Sequence, residues 1–318
     1  MPMPCYPEFT PLDISLKDVL HPRLSLTYDG VSEFTFSSLY VFRNKYKYRI
    51  SRLFGENGSD EEGSFIISGE HFQGSFKPFQ GNLQPLQQPE KFFMTPCRAP
   101  DWETLKALFN THDFWKNIPE SVLNPVRETL EKRGVVFTED RDNFDYLYHR
   151  KDLAELSGKK FHKKKNHFNH FVHSFPDHEQ KPMNAAVVPA AIEVLERWKN
   201  DRAHIGDSGG DYKAAREALE MFDSLALRGS VFFAEGKPVA YCLGESIARG
   251  RMFAIHFEKA IEEYKGIYQY VNRAFAASLP RFFTLINREQ DIGNEGIRQA
   301  KMTYRPCDFV RKYTGRLQ

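Results

Sequence analysis

The sequence has little of what marks secreted, zinc-bound or membrane-spanning proteins. Only four cysteines occur among 318 residues, Cys5, Cys97, Cys242 and Cys307, and none of them forms a Cys-x-x-Cys pair. This spacing argues against a disulfide scaffold and a cysteine zinc site, and it predicts reduced thiols. No apolar run approaches the roughly 18–20 residues of a transmembrane helix, and the first residues lack the basic start and apolar run of a secretion signal. We therefore expect a cytoplasmic protein.

Several common catalytic motifs are also missing. The chain has neither a G-x-x-x-x-G-K-[ST] loop nor an H-E-x-x-H motif, which argues against a P-loop nucleotidase and against that class of zinc protease. Residues 206–210, Gly-Asp-Ser-Gly-Gly, match the nucleophile signature of chymotrypsin-like proteases, but no Ala-Ala-His-Cys supplies the base that a serine nucleophile needs. We interpret this segment as a linker.

A short basic segment stands out in a chain whose formal net charge is only +2. Residues 159–165 contain five lysines and no acid, and Phe161, Phe168 and Phe171 recur at helical spacing. On a helix these phenylalanines would share a buried face and leave the lysines outside. Such a basic face favours a polyanionic partner: tRNA, a phosphorylated cofactor or a lipid headgroup. The alternative is an ordinary solvated helix face.

The histidines of the same segment allow a second interpretation. His162, His167, His170 and His173 could be metal ligands, but no nearby cysteine or acid completes the set. The adjacent ammonium groups would also repel a cation. We therefore predict no metal site.

A second polar cluster follows a predicted strand at residues 282–286. Glu289 and Asp291 lie two residues apart and could accept a proton or hold an amine, while Arg298 and Lys301 are one turn apart on the next predicted helix. Ligands often bind where strands of α/β proteins end, so this position favours a site. The alternative is a capped helix with Glu295 and Arg298 as a surface pair.

The order of predicted elements indicates an α/β (α+β) fold. In the second half two helices precede three antiparallel strands, a helix and another strand, which resembles the order of the Gcn5-related acyltransferase (GNAT) fold. Residues 135–138 and 144–148 are predicted to form a β-hairpin. The first half has a similar order, so we predict tandem GNAT-like domains at residues 1–155 and 156–318, with mostly antiparallel sheets flanked by helices.

An ordered set of short motifs resembles one family across residues 30–314. The motifs are Asp145-Tyr146-Leu147-Tyr148 with Asp152-Leu153, Leu156-Ser157-Gly158-Lys159-Lys160, Lys163-Lys164-Lys165-Asn166-His167 with Phe171, Lys265-Gly266-Ile267-Tyr268-Gln269 with Asn272, Asn287-Arg288-Glu289-Gln290-Asp291-Ile292-Gly293, and Gly296-Ile297-Arg298 with Ala300-Lys301. They resemble the DUF2156 family, named for the C-terminal catalytic domain of phosphatidylglycerol lysyltransferases. That family is similar to the FemABX peptidyltransferases, which have a tandem acyltransferase fold.

The resemblance implies an acyl- or aminoacyl-transferase with a substrate channel near the junction of its two domains. It implies an aminoacyl-tRNA or acyl-CoA donor and an amine or hydroxyl acceptor, and it identifies no certain cofactor. The residues expected to be catalytic are Glu289, Asp291 and Arg298. Those expected to bind the donor are Lys163, Lys165, Asn166, His167, Lys265, Gly266, Tyr268 and Lys301.

Three points stay open in this interpretation: the donor, the function and the oligomeric state. The Arg/Gln-x-x-Gly-x-Gly/Ala loop with which acetyltransferases hold coenzyme A is absent, and only Lys265-Gly266 stands in its place. Glycine at a helix start exposes backbone N–H groups to an anion, although one glycine is weak evidence. The alternative function is a catalytically inactive module that binds RNA or an anionic lipid surface. The oligomeric state is also open.

Overall fold

The computed structural model describes residues 3–53, 64–71, 88–203 and 211–318. The chain divides into two compact units, one formed by residues 1–141 and 311–318, the other by residues 142–310. The segment at residues 206–210 lies outside the described residues, so its interpretation as a linker stays a prediction. Among the described helices none is both long and apolar enough to cross a bilayer.

The first unit is built on one mixed sheet with short helices. Its described helices are α1 (Lys17–Ser25), α2 (Phe36–Tyr46), α3 (Trp102–Phe109), α4 (Glu120–Leu123) and α5 (Arg127–Glu131). Its described strands are β1 (Thr10–Pro11), β2 (Arg49–Arg52), β3 (Phe65–His71), β4 (Glu90–Met94), β5 (Phe114–Pro119), β6 (Val135–Glu139) and, from the chain end, β14 (Lys312–Leu317). Their order in the sheet is β1-β2-β3-β4-β5-β14-β6. Only the β4–β5 pair is parallel among the described pairs.

The second unit repeats this plan with longer strands. Its described helices are α6 (Arg150–Glu155), α7 (His162–Ser174), α8 (Val188–Ala203), α9 (Tyr212–Glu220), α10 (Ile267–Ser278) and α11 (Glu295–Met302). Its described strands are β7 (Asp145–His149), β8 (Glu179–Pro182), β9 (Arg228–Ala234), β10 (Lys237–Ile247), β11 (Met252–Ala260), β12 (Leu285–Asn287) and β13 (Asp308–Val310). The sheet order is β13-β7-β12-β11-β10-β9-β8, with β11 and β12 parallel.

Helices cover both faces of the second sheet. Glu258 and Lys259 are neighbours on β11, so their side chains point to opposite faces. Glu258 accepts a hydrogen bond from Asn272 of α10, whereas the Lys259 ammonium lies 4.0 Å from the ring centroid of Trp198 on α8. The predicted class, tandem units with mostly antiparallel sheets flanked by helices, is therefore confirmed.

Local capping explains where several helices begin. The Asp101 carboxylate accepts a hydrogen bond from the Thr104 N–H at the start of α3. Thr35 caps α2 and Asn294 caps α11 in the same manner. The Asn294 cap fixes the point at which the polar loop after β12 turns into α11.

The predicted β-hairpin at residues 135–148 is wrong. β6 pairs with β14 in the first sheet, whereas β7 pairs with β12 and β13 in the second sheet. Both segments are strands, but their partners are distant in sequence. The predicted division at residue 155 also differs from the compact units, because residues 142–155 pack with the second unit and residues 311–318 with the first.

Candidate functional site

The basic segment forms a helix with two distinct faces, as predicted. It is α7, residues 162–174, preceded by a 3-10 turn at Lys159–Phe161. Phe161 and Phe171 are fully buried. The Phe171 ring stacks on Tyr270 of α10 with centroids 4.6 Å apart. Packing against α10 therefore fixes the helix and leaves most of its lysines on the outer side.

A groove of about 670 Å³ runs along this lysine face. Its lining residues come from α7 with its preceding turn, from α10, and from α11 with the residues just after it: Lys159, Lys160, His162, Lys163, Lys164, His167, Gln269, Gln299, Met302, Thr303 and Arg305. None of these described lining residues is acidic, and five of them are lysine or arginine. We call this cavity the lysine groove. Its volume is in the range of ordinary ligand pockets.

Some of the predicted donor-binding residues line the lysine groove, and others lie outside it. Lys163 and His167 line the lysine groove. Lys165 and Asn166 are exposed, but neither is among the residues that line it. Lys265 is exposed as well, and it precedes the start of α10. Their roles in binding stay predictions.

Gly266 has a packing role at the start of α10. Its φ is +92°, and a Cβ placed there would lie 2.2 Å from the His167 carbonyl oxygen. The glycine thus allows α7 and α10 to approach closely. The His167 carbonyl fills the space next to it, so that no open space remains there for a ligand. Tyr268, two residues later, is largely buried, and burial raises the pKa of its hydroxyl to about 12.

Gly266→Ala should destabilise the second unit. The added methyl group meets a backbone oxygen and the backbone must hold a left-handed conformation, so we expect a loss of more than about 1 kcal/mol in the free energy of unfolding, measured with urea. Gly158→Ala is the matched control, because Gly158 has φ +81° but nothing within 4 Å of the added Cβ. Equal losses in the two variants would show that the close approach is unimportant.

Asp291 lies in the loop between β12 and α11 and forms an ion pair with Arg298 of α11. The Asp291 carboxylate is fully buried. Arg298 Nε and Nη2 donate to the two carboxylate oxygens of Asp291 at 2.9 and 2.8 Å, Tyr146 Oη donates at 2.6 Å and the Gly293 N–H at 2.9 Å. Burial opposes ionisation of Asp291, but these hydrogen bonds outweigh it and lower the pKa of the carboxyl to about 2. Arg298 also binds Asp142. The Asp291 carboxylate is therefore engaged on all sides and fixes the loop.

Lys301 holds the same loop from α11. Its ammonium donates to the carbonyl oxygens of Arg288, Glu289 and Gln290 at 2.6, 3.0 and 2.6 Å. Burial, with a contribution from the Arg288 charge, lowers the pKa of Lys301 to about 8. All three ammonium protons can be used in this way. The residue accordingly acts on the loop rather than on an outside anion in this structure.

Glu289 lies in the left-handed region with φ +58°, which is uncommon for a residue other than glycine. Its N–H donates to the Asn287 side chain at 2.7 Å, and its carbonyl accepts from Lys301. A conformation held against its own preference by several bonds is typical of functional sites. These bonds therefore fix the backbone of the loop at Glu289, which carries the carboxylate.

The Glu289 side chain meets a histidine that sequence reasoning missed. His256 Nδ1 lies 2.7 Å from Glu289 Oε1, and His256 Nε2 lies 3.0 Å from Glu245 Oε1. The side chains of His256 and Glu245 are 4% and 5% exposed, that of Glu289 24%. Among the described residues no hydrogen-bond partner reaches Glu289 Oε2. Glu289 and Asp291, although two residues apart, therefore have different surroundings: one keeps an oxygen available, the other does not.

Tyr304 links the lysine groove to this loop. The Lys164 ammonium lies 4.2 Å from the Tyr304 ring centroid, and the Arg288 guanidinium carbon lies 5.1 Å from the same centroid. Burial first, and then the Arg288 charge, lower the pKa of Lys164 to about 8. Glu289, Asp291 and Arg298 are not lining residues of the lysine groove, but Arg288, next to Glu289 in the loop, lies near the same Tyr304 ring as Lys164 of the groove.

The histidines of α7 make local contacts. His173 Nδ1 lies 2.6 Å from the Asn169 carbonyl oxygen, and His170 Nδ1 lies 3.1 Å from Ser174 Oγ. Within the described ranges no group of three histidine, cysteine or acidic side chains is arranged to hold a metal ion.

Comparison with known proteins gives the family of the chain. Residues 25–315 match the family described as phosphatidylglycerol lysyltransferase, C-terminal. An uncharacterized protein of Mycoplasmoides gallisepticum is 24% identical over 170 residues. That match covers 53% of this chain and 54% of the other, so it spans about half of that relative.

Solved structures resemble the whole chain. A conserved protein of unknown function from Bacteroides thetaiotaomicron is 26% identical, with a TM-score of 0.79 and coverage of 98% of this chain and 99% of that one. The C-terminal domain of a putative lysylphosphatidylglycerol synthetase from Agrobacterium fabrum, at 11% identity, has a TM-score of 0.60, with 96% and 93% covered. L-PGS from Bacillus licheniformis, at 12% identity, has a TM-score of 0.53, with 88% and 90% covered. These last two likenesses show a shared fold. The family match over residues 25–315 establishes that this chain belongs to the family of the C-terminal domain of phosphatidylglycerol lysyltransferase.

Proposed function

We propose that this chain transfers an aminoacyl group from an aminoacyl-tRNA to an amine or hydroxyl acceptor. The observation that carries the proposal is the lysine groove, a cavity of about 670 Å³ with five cationic and no acidic side chains among its described lining residues. A polyanionic donor is the ligand that such a lining favours. Family membership supports a transferase. The missing coenzyme A loop favours tRNA over an acyl-CoA donor.

In this proposal Glu289 is the general base. The acceptor gives its N–H or O–H proton to Glu289 Oε2 as its nitrogen or oxygen bonds to the acyl carbon. The bond from that carbon to the ribose oxygen then breaks, and the ribose oxygen takes the proton that Glu289 received, which returns Glu289 to its carboxylate form. The ester is already activated, so positioning and proton transfer suffice and no covalent enzyme intermediate is required.

The neighbouring charged residues have supporting roles in this scheme. Asp291 and Arg298 were expected to act on the substrate, but their mutual bonds suit them to holding the loop. Lys301 supports the same loop through three carbonyl oxygens. The chemistry is thereby concentrated on Glu289, while the groove lysines hold the donor.

Loss of the amino acid from charged tRNA tests the proposed reaction. We expect the purified chain to discharge a labelled pool of aminoacyl-tRNA when a mixture of small amines and alcohols is added as acceptor, and to leave acyl-CoA thioesters intact. If only the acyl-CoA thioesters were consumed, the donor would be acyl-CoA rather than aminoacyl-tRNA. Tight binding of tRNA without discharge under any acceptor would contradict the transferase and support the binding module.

Neutralising two groove lysines should weaken binding of the donor. For Lys163→Gln/Lys164→Gln we expect a lower affinity for tRNA and a smaller dependence of log K on log salt concentration, by roughly 0.7–0.9 for each phosphate that is no longer neutralised. Fluorescence anisotropy at several salt concentrations measures both quantities. Lys165→Gln is the matched control, since it removes the same kind of charge from the same run outside the groove lining. Equally weakened binding in both proteins would mean that the groove is not the binding site.

A further inference from the structure

A buried histidine joins two carboxylates in the second unit. Glu245 lies on β10, His256 on β11 and Glu289 in the loop after β12, and the two ring nitrogens of His256 face one carboxylate oxygen each at 3.0 and 2.7 Å. Only Glu289 of the three is appreciably exposed. The three side chains therefore form a hydrogen-bonded chain from the buried Glu245 to the partly exposed Glu289.

A bulge in β11 places the histidine there. Leu243 pairs with Phe257, but the next residue of β10, Gly244, pairs with Ile255, so His256 is an extra residue in its strand. A Cβ on Gly244 would lie 1.9 Å from the Ala254 carbonyl oxygen, so this register requires a glycine. Bulges of this kind redirect side chains and are frequent beside active sites.

The geometry also favours a doubly protonated ring. An ionised carboxylate only accepts hydrogen bonds, so with Glu245 and Glu289 both ionised the two nitrogens of His256 each carry a proton. Burial by itself would lower the pKa of His256, but the hydrogen bonds to Glu245 and Glu289 outweigh burial and raise it to about 10. The ring is thus an imidazolium at neutral pH.

We infer that His256 and Glu245 are positioning residues for the carboxylate of Glu289. This inference rests on the proposed function for the role of Glu289 as base. His256 binds Oε1 and so directs Oε2 outward, and Glu245 keeps the imidazolium charged and fixes the plane of its ring. A base held in one orientation loses less entropy at the transition state than a free side chain.

Among the described residues, the charged side chains within hydrogen-bond distance of His256 are two carboxylates. Glu245 faces it from β10 and Glu289 from the loop; Arg288 adjoins Glu289 in that loop, and Lys301 of α11 binds the Glu289 carbonyl. Of these, Glu245 contacts the ring directly and lies away from the loop. Glu245→Gln is therefore the variant that tests the inference, since its amide keeps the size of the side chain and removes the charge.

Nitrogen-15 NMR of histidine-labelled protein measures the state of the ring directly. In the full chain we expect the His256 signals, assigned by their loss in His256→Gln, to remain those of an imidazolium from pH 6 to pH 9. In Glu245→Gln the titration midpoint should fall by at least about one pH unit, since one of the two stabilising charges is gone. A neutral ring at pH 7 in the unchanged protein, or identical midpoints in both proteins, would overturn the inference.

Kinetics then separate positioning from a purely structural role. In Glu245→Gln the basic limb of the pH–rate profile for transfer should move to lower pH by the same amount as the NMR midpoint. A uniformly lower rate with an unmoved profile would show that Glu245 only supports the fold. Because the NMR titration needs no substrate, a failure of the proposed transfer reaction leaves that result standing and remains distinguishable from a failure of this inference.

Discussion

Glu289→Gln should lower kcat for aminoacyl transfer by about 10²–10⁴-fold, the usual contribution of a general base. The amide has nearly the shape of the carboxylate, and its oxygen can still accept from His256, so the loop should keep its conformation. Glu289 Oε2 accepts no hydrogen bond from a described residue. In the variant an amide nitrogen takes its place, and this nitrogen cannot accept the proton of the acceptor. Single-turnover discharge of aminoacyl-tRNA at saturating protein measures the rate without interference from binding.

The control for this prediction is Glu295→Gln. Glu295 is an exposed acid in the first turn of α11, so the change removes the same charge from the same region. We expect it to leave the rate unchanged. If Glu289→Gln kept full activity, Glu289 could not be the base, whatever the result for Glu295.

Arg298→Ala should cost about 3 kcal/mol of the free energy of unfolding at neutral pH, because it leaves the buried Asp291 carboxylate without its charged partner. Tyr146 and Gly293 still donate to that carboxylate and keep the loss toward the lower end of the range for broken buried pairs. Urea denaturation followed by circular dichroism measures the change. Arg311→Ala is the comparison, since its pair with Glu120 at 3.5 Å is exposed on both sides and should contribute less than about 1 kcal/mol.

The same pair gives a pH dependence whose sign is fixed. The pKa of Asp291 is lowered in the folded protein to about 2, so its contribution to stability is present above the ordinary carboxyl range near pH 4. It should be lost as the pH falls from about 4 to 2. In Arg298→Ala this part of the acid-induced loss should shrink. An unchanged acid profile would show that the Asp291–Arg298 pair does not stabilise the folded state.

Local sequence patterns were enough to predict most of the second unit. The phenylalanines at 161, 168 and 171 predicted the buried face of α7, and two of them, Phe161 and Phe171, are fully buried. The three antiparallel strands and the helix predicted after them appear as β9, β10, β11 and α10. These features depend on contacts close in sequence, which periodicity and turn residues specify.

Pairings between distant segments could not be predicted in this way. The last strand, β14, lies between β5 and β6 in the first sheet. Because β6 pairs with β14, it does not form the predicted hairpin with residues 144–148. The helices α4 and α5 are separate and short, with Pro125 in the interruption between them. Sheet register and strand order arise from tertiary packing rather than from local pattern.

The candidate site shows the same division. Sequence pointed to Glu289 and to the lysine run, because a polar cluster after a strand and a charge run are visible in one dimension. His256 and Glu245 were missed, since each lies inside a strand with mostly apolar neighbours and neither belongs to a polar cluster in the sequence. Gly244 beside Glu245 was the available signal, because a glycine inside a strand often marks a bulge.

The account depends most on the lysine groove and Glu289 serving one reaction. The direct test is a crystal structure of Glu289→Gln bound to an RNA minihelix that carries its amino acid through a stable amide. We predict phosphates against Lys163 and Lys164 and the acyl carbon within reach of the side chain at position 289. Phosphates bound elsewhere on the protein, with the acyl group far from that side chain, would contradict it.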